Sequence, residues 1–215
     1  MTRLFPLIIL SLFLGACLGS TPPLQRDHYY RIVMPAEGSD AADPSLPGVV
    51  SVPPFEADGL LRERPLLFST GGRSHELQQY VYHYWSDAPP RMLQAALAAY
   101  LRRSGLARSV VTPSLRVRPD FEVVGRIKRL EQLLGDGGPR VAVELELALL
   151  GLGQDGLLVL ETYSAERPVR DNSIEASVVS LNEAVTEIFG RFVADARRTE
   201  VALGRARESD APTAP

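Results

Sequence analysis

The 215-residue chain contains a single cysteine, Cys17, in the stretch LFLGACLGS. A lone thiol cannot form an internal disulfide, so it is a buried apolar side chain, a reactive nucleophile or an attachment point. The preceding residues favour attachment. Arg3 supplies one cation, residues 4–14 form an apolar run, and Gly15 and Ala16 are small, which is the outline of a secretory signal peptide over residues 1–16.

The four residues Leu14-Gly15-Ala16-Cys17 resemble the bacterial lipobox, in which the signal is removed before a cysteine that then carries lipid. The apolar run is shorter than the ~20 residues that span a bilayer. Each buried methylene contributes ~0.8 kcal/mol, so a lasting anchor needs several acyl chains, such as palmitate, on one residue. Leu18 stands where an Asp would resemble the signal for inner-membrane retention. We therefore expect a lipid on Cys17, in the outer membrane, with the domain facing the periplasm.

The stretch GLGQDG, residues 151–156, matches the G-x-G-x-x-G pattern of dinucleotide sites. Such a site needs a helix directly after the glycines, because the helix N-terminus meets the pyrophosphate. Here a β-prone segment follows, and Asp155-Gly156 is typical of a hairpin turn. A P-loop pattern is also missing from the sequence. We predict a hairpin at this position and no nucleotide cofactor.

Other residue types that carry chemistry lack the spacing that chemistry needs. Glu144 and Glu146 share a strand face at roughly 7 Å, within the range for paired carboxylates, yet that face is predicted to be solvated. Ser74 lies beside a histidine but not in a G-x-S-x-G elbow. No zinc-ligand spacing relates the three histidines, which are His28, His75 and His83. We predict no metal, no cofactor and no enzymatic activity.

An aromatic segment, YVYHYW, is the strongest candidate for binding. Strand alternation predicts that one face carries Tyr80, Tyr82 and Tyr84, and the other Val81, His83 and Trp85. Rows of tyrosine offer large rigid area with polar tips, a composition typical of recognition surfaces. The alternative is an ordinary solvated sheet face. We predict that the partner-binding residues are among Tyr80, Tyr82, Tyr84 and Trp85. Within this set, Trp85 is expected to close the core at the entry to a helix, and Tyr82 is expected to be more exposed and free to bind.

The remaining pattern predicts one α+β domain over residues 29–200, after a tether over 17–28. Asp87 and Pro89 begin a helix that Gly105 ends. A long amphipathic helix begins near Asn172, with Glu175 in a capping box. Its predicted buried residues are Val178, Leu181, Val185, Ile188, Phe192 and Ala196. Short β-prone runs cover residues 29–33 and 48–52, and Gly71-Gly72 joins a hairpin. Three neighbouring antiparallel strands are predicted in the second half. The middle one, RVAVELELALL, alternates between a buried and a solvated face. The buried face carries Val141, Val143, Leu145, Leu147 and Leu149, and the solvated face carries Ala142, Glu144, Glu146 and Ala148. The predicted architecture is a single mixed, largely antiparallel sheet with two main helices packed on it. The polar tail over 201–215 is predicted to be disordered.

The charge balance argues against nucleic acid as a partner. The net charge is −3 and the isoelectric point is near 5.7, so the sequence predicts no extended basic patch.

Taken together, several segments resemble the ABC-type transport auxiliary lipoproteins, the PqiC-like or YmbA-like family. They are the lipobox at Cys17, HYYRI soon after it, VVSVPPF, the aromatic strand ending in YWSDAPPRML, and the C-terminal amphipathic helix. The resemblance implies a small α+β domain tethered to the outer membrane. It also implies partners, an MCE-domain protein and an ABC transporter permease and ATPase, which move lipids or apolar compounds across the periplasm. The loop after Met34 and the polar tail depart from the family.

Two functions follow from these observations. In the first, the protein is a non-catalytic adaptor that assists an ABC/MCE-type transport system and is held at the outer membrane, with self-association left open. In the second, it is a free-standing periplasmic lipoprotein that binds a lipid or another ligand, with a hydrolase acting without a transporter as the lesser alternative.

Overall fold

A computed structural model describes residues 25–34, 45–71, 75–153 and 156–209, with side chains through residue 199. Cys17, the signal peptide and most of the predicted tether lie outside these ranges. The described chain is a large curled mixed sheet with two helices. The α+β prediction is therefore confirmed.

Nine strands make up the sheet in the described part of the chain. They are β1 (His28–Tyr30), β2 (Leu46–Ser51), β3 (Glu56–Ala57), β4 (Pro65–Thr70), β5 (Gln78–Trp85), β6 (Ala107–Val111), β7 (Phe121–Leu134), β8 (Arg140–Gly151) and β9 (Gly156–Pro168). The helices are α1 (Pro89–Ser104) and α2 (Ile174–Ser209), and two short 3-10 helices cover Gly59–Arg62 and Pro113–Leu115.

The long strand β7 organises the sheet. On one side it pairs with β8 along nearly its whole length, from Phe121 opposite Gly151 to Leu133 opposite Arg140. On the other side it pairs in succession with β2, β3 and β4, all parallel to it. The strands β6 and β5 lie outside β2 and β4, and β1 lies outside β5. The predicted hairpins β4–β5, β7–β8 and β8–β9 are all present and antiparallel, whereas the other five pairings of the described residues are parallel.

The helix boundaries differ slightly from the prediction. Ala88 precedes α1 as its N-cap, while the carboxylate of Asp87 accepts a hydrogen bond from the Ala88 amide at 2.8 Å. Gly105 ends α1 in the left-handed conformation, as predicted. At α2, the hydroxyl of Ser173 caps the Ala176 amide at 3.1 Å. The helix therefore begins one residue later than expected. Glu175 is its second residue, whereas a capping box needs a glutamate at the third.

Both ends of the domain also correct the prediction. Strand β1 covers only His28–Tyr30, because the amide of Val33 turns away to donate to the Asn182 side chain of α2 at 2.6 Å. At the other end, α2 continues to Ser209, so the first nine residues of the predicted disordered segment are helical. Residues 210–215 of that segment lie outside the described ranges. Among the described residues, no helix is long and apolar enough to cross a membrane.

The core lies between the sheet and the two helices. The apolar face of β8 is buried as predicted, with Leu145, Leu147 and Leu149 each 0 % exposed. Every apolar residue predicted to line α2 is buried: Val178, Leu181, Val185, Ile188, Phe192 and Ala196. Where the helices meet, the Tyr100 ring of α1 lies 5.8 Å from Phe189 of α2.

The second face of β8 is only partly solvated, which corrects the simple two-faced interpretation. Ala142 and Ala148 are buried on it, whereas Glu144 and Glu146 are partly exposed. The carboxylate of Glu146 lies 3.8 Å from the ammonium of Lys128 on β7. Glu146 thus forms an ion pair across the surface of β7 and β8.

Close packing at the middle of β7 gives a testable consequence. A β-carbon at Gly125 would overlap the buried ring of Phe55. We expect Gly125→Ala to lower the free energy of unfolding by about 1–3 kcal/mol, because the ring cannot move aside without strain. Gly137→Ala is the matched control, because the turn around it has open space. Urea unfolding of both variants measures the difference, and equal midpoints would contradict this description of the core.

Candidate partner-binding surface

A backbone irregularity in β5 changes how the predicted tyrosine row is arranged. Tyr82 has a positive φ of 68°, a conformation that is unfavourable for a residue with a large side chain. The register between β4 and β5 shifts at the same place, between Pro65 opposite Tyr84 and Leu67 opposite Gln79. A bulge of this kind breaks the strict alternation of side chains. The three tyrosines therefore do not share one face.

Tyr80 points inward from β5. Its ring lies 4.5 Å from that of Phe68 and 5.9 Å, edge on, from that of His83. Its hydroxyl donates to the side chain of Gln132, which in turn donates to the buried hydroxyl of Ser177 at 2.8 Å. Burial raises the pKa of Tyr80. Tyr80 therefore joins the sheet to the start of α2 and is not an exposed binding residue.

Tyr84 lies on the opposite face. Its ring stacks on Tyr29 of β1 with the centroids 5.8 Å apart, and the guanidinium of Arg64 lies 5.3 Å from the Tyr29 centroid. Tyr29 is 56 % exposed and Tyr82 is 37 % exposed, and Val81 between the bulge and Tyr80 is exposed as well. Tyr29, Tyr82, Tyr84 and Val81 thus lie on β1 and β5, at one end of the strand order.

Trp85 is at the core end of β5, as predicted. Its side chain is 1 % exposed. Its amide donates to the carbonyl of Arg64 at 2.7 Å, and its carbonyl accepts from the Arg64 side chain at 3.1 Å. Trp85 is thus a structural residue at the entry to α1 rather than a member of the binding surface.

A second polar cluster connects β1 to α2. The imidazole rings of His28 and His83 stack with centroids 5.1 Å apart. The Tyr30 hydroxyl lies 2.9 Å from Nδ1 of His83 and donates to the carboxylate of Glu175 at 3.2 Å. A hydroxyl has one proton, so His83 must donate through Nδ1–H. Burial, together with the charge and hydrogen bond of Glu175, raises the pKa of Tyr30 to about 12.

This cluster predicts a pH dependence of stability. Burial lowers the pKa of His83, and the neighbouring His28 lowers it further, whereas Glu175 opposes the shift. The groups that face the His83 ring are His28, Glu175, Tyr30 and Tyr80. Because the unfolded chain binds this proton at a higher pH than the native state, stability falls as the pH drops below ~6.5. We expect His83→Gln to reduce that loss, measured as the urea midpoint from pH 7.5 to 5.5. His75→Gln is the control, and parallel pH profiles for His83→Gln and the wild type would contradict the assignment.

An apolar groove opens next to this cluster, with a volume of about 1080 Å³. Val33 and Met34 form one wall, and Val178 and Val179 of α2 form the other. Charged side chains stand around it: Arg31, Arg167, Glu183 and Glu187. Arg167 and Glu187 pair with each other at 2.8 Å. The groove is therefore lined by both apolar and charged side chains.

The residues that define this groove were not predicted from the sequence. Its walls come from residues 31–34 and 178–187, which lie far apart in the chain and share no spacing pattern. The Tyr30–His83–Glu175 contact was missed for the same reason. The only sequence signal was the concentration of tyrosine and histidine around positions 28–30 and 80–84.

The glycine motif at residues 151–156 lies between two strands. Strand β8 ends at Gly151 and β9 begins at Gly156, which pair with each other. A strand therefore follows the glycines, as predicted, while Asp155 and Ser74 lie outside the described residues. Within the part of the chain that the structure describes, no three His, Cys, Asp or Glu side chains are grouped as metal ligands.

The described residues form an α+β domain with one curled mixed sheet and two helices. Comparison with family models identifies which class this is. A model described as "ABC-type transport auxiliary lipoprotein component" matches residues 30–191. The chain therefore belongs to the family of ABC-type transport auxiliary lipoproteins, as the sequence motifs indicated.

Solved structures show the same fold. Protein XCC0632 from Xanthomonas campestris superposes with a TM-score of 0.71 at 18 % identity, over 83 % of this chain and 99 % of its own. A second crystal structure, of an uncharacterized protein, has a TM-score of 0.59 at 13 % identity, over 80 % of this chain and 99 % of its own. A search of curated protein sequences gives no match.

Proposed function

We propose that this protein is a non-catalytic adaptor that is tethered to the outer membrane through a lipid on Cys17. It assists an ABC/MCE-type system that moves lipids or apolar compounds across the periplasm. The observation that carries the proposal is the family match over residues 30–191, which covers nearly the whole folded domain. The lipobox supports the tether, and Leu18 supports the outer membrane as its location.

The placement of the binding surfaces supports an adaptor. The tether enters the domain at β1, one edge of the sheet, and β9 is the edge beyond β8. The two edges meet at the apolar groove, which Val33 and Met34 line after β1 and Arg167 lines from β9. They are nevertheless different strands, so an anchor at β1 does not occupy the outer backbone edge of β9.

A second candidate function is supported by the apolar groove between Met34 and α2. Its volume is in the range of small-molecule sites, which favours a lipoprotein that itself binds a lipid or another apolar ligand. Val179→Trp would fill the groove from an exposed position of α2. Loss of a co-purifying lipid in this variant, with transport lost as well, would favour ligand binding over the adaptor.

Co-purification tests the adaptor directly. The full-length lipoprotein is solubilised from membranes and captured, and we expect the MCE-domain protein and the permease and ATPase of one transporter to be enriched. The control is the same lipidated tether, residues 1–28, fused to an unrelated periplasmic domain. Equal recovery of these partners with both proteins would contradict the proposal.

A further inference from the structure

Strand β9 is an edge of the sheet for all of its 13 residues. Among the described residues it pairs with β8 alone. Unpaired edges present rows of free N–H and C=O groups, and such rows bind other extended chains. The outer edge of β9 is therefore available to pair with another extended chain.

Contacts with α2 reveal which residues of β9 face outward. The carbonyl of Ser164 accepts a hydrogen bond from the Arg191 guanidinium at 2.9 Å, and the carbonyl of Pro168 accepts one from the Ser180 hydroxyl at 3.2 Å. In an antiparallel pair, the N–H and C=O of one residue point to the same side of the strand, and those of the next residue point to the other side. The even-numbered residues therefore face away from β8. The register is unbroken from Val159 to Pro168, so this parity extends to Leu160 and Thr162.

The two halves of the edge differ. Towards Pro168, the outward carbonyls are occupied by the α2 side chains just described. Towards Leu160, the edge opens into a groove of about 630 Å³ between β9 and α2. Leu160 and Thr162 thus border this groove.

The charges of this groove favour an uncharged segment. Arg191 and Arg198 line it from α2, with Asp195 on the same helix and Glu161 on β9, so its formal charge balances. Arg198 pairs with Asp195, and Arg191 is held by Ser164. Beside it, Leu160 is 53 % exposed on the outer face, where an apolar side chain of an incoming strand would pack.

We propose that the free edge of β9 at Leu160 and Thr162 binds an uncharged extended strand of the transporter's periplasmic MCE-domain protein, which pairs with the sheet as a tenth strand. The identity of this partner rests on the proposed function. The pairing itself rests on the backbone parity and on the groove.

A proline substitution tests the edge selectively. Thr162→Pro removes an N–H that faces outward and places a ring in the path of the incoming strand, without removing a hydrogen bond to β8. Thr162→Val keeps the N–H and is the matched control. Glu161→Pro tests the parity, because it removes an N–H that bonds β8, and we expect it to lower the melting temperature far more than Thr162→Pro.

Binding is measured with the purified full-length lipoprotein and the purified MCE-domain protein of the same organism. We expect Thr162→Pro to weaken binding by at least about tenfold while Thr162→Val binds like wild type. Hydrogen exchange at the Leu160 and Thr162 amides should slow on complex formation. Equal binding by the Pro and Val variants would overturn this inference and leave the adaptor intact. No binding by the wild type would overturn both. Slow exchange that depends only on the lipoprotein's own concentration would assign the edge to a second copy and overturn the proposed partner.

Discussion

Trp85→Ala is expected to lower the free energy of unfolding by about 3–5 kcal/mol, which is the usual cost of truncating a large aromatic side chain in a core. The ring is 1 % exposed and lies where β5 passes into α1. Its loss leaves a cavity under the helix entry that the hydrogen bonds to Arg64 cannot close. The measurement is chemical denaturation of the domain from residue 25 onward, monitored by circular dichroism.

Val81→Ala is the matched control, because Val81 is in the same strand and is 66 % exposed. We expect its midpoint to lie within about 0.5 kcal/mol of wild type, as for ordinary surface substitutions. If Trp85→Ala unfolds at the same denaturant concentration as Val81→Ala, Trp85 does not close the core and the placement of β5 is wrong.

Cys17→Ser is expected to abolish lipid attachment completely. The hydroxyl cannot take the place of the thiol that carries lipid, so the protein should remain an uncleaved precursor or leave the membrane fraction. The domain should nevertheless fold normally, because the structured residues that are described begin at residue 25. Fractionation with mass spectrometry of the N-terminal peptide measures both effects.

Ser20→Ala is the control for this experiment, since it alters the tether but keeps the lipobox. It should retain the lipid and the membrane location. A Cys17→Ser protein that stays in the membrane fraction with the mass of the wild type would show that the anchor lies elsewhere.

The elements of the fold were largely predictable because each has a local pattern. The alternation in RVAVELELALL predicted β8 and its buried face. Gly105 predicted the end of α1, where it adopts the left-handed conformation that glycine favours. The parallel pairing of β2, β3 and β4 with β7 was not predictable, because it depends on contacts between distant segments. Long connections leave no turn signal for register.

The candidate site was predicted in composition but not in arrangement. Counting alternate residues placed Tyr80, Tyr82 and Tyr84 on one face, and the bulge at Tyr82 separates them. No glycine or proline marks this bulge in the sequence, so a positive φ at a tyrosine could not be anticipated. The open half of the β9 edge was also not predictable from the sequence. Which carbonyls of β9 face away from β8 is known only from the two hydrogen bonds that α2 makes to them.

Leu18→Asp tests most directly whether outer-membrane attachment is essential to the proposed adaptor. The substitution keeps Cys17 and its lipid but introduces a residue that resembles an inner-membrane retention signal, while the folded domain is unchanged. Density-gradient fractionation determines which membrane contains the variant. Its activity is measured as the growth of cells in detergent, at protein levels matched to wild type. We expect the protein to be in the inner membrane and the cells to be as sensitive as cells lacking the gene. Full resistance with the protein confirmed in the inner membrane would contradict the adaptor and favour the free-standing ligand-binding lipoprotein.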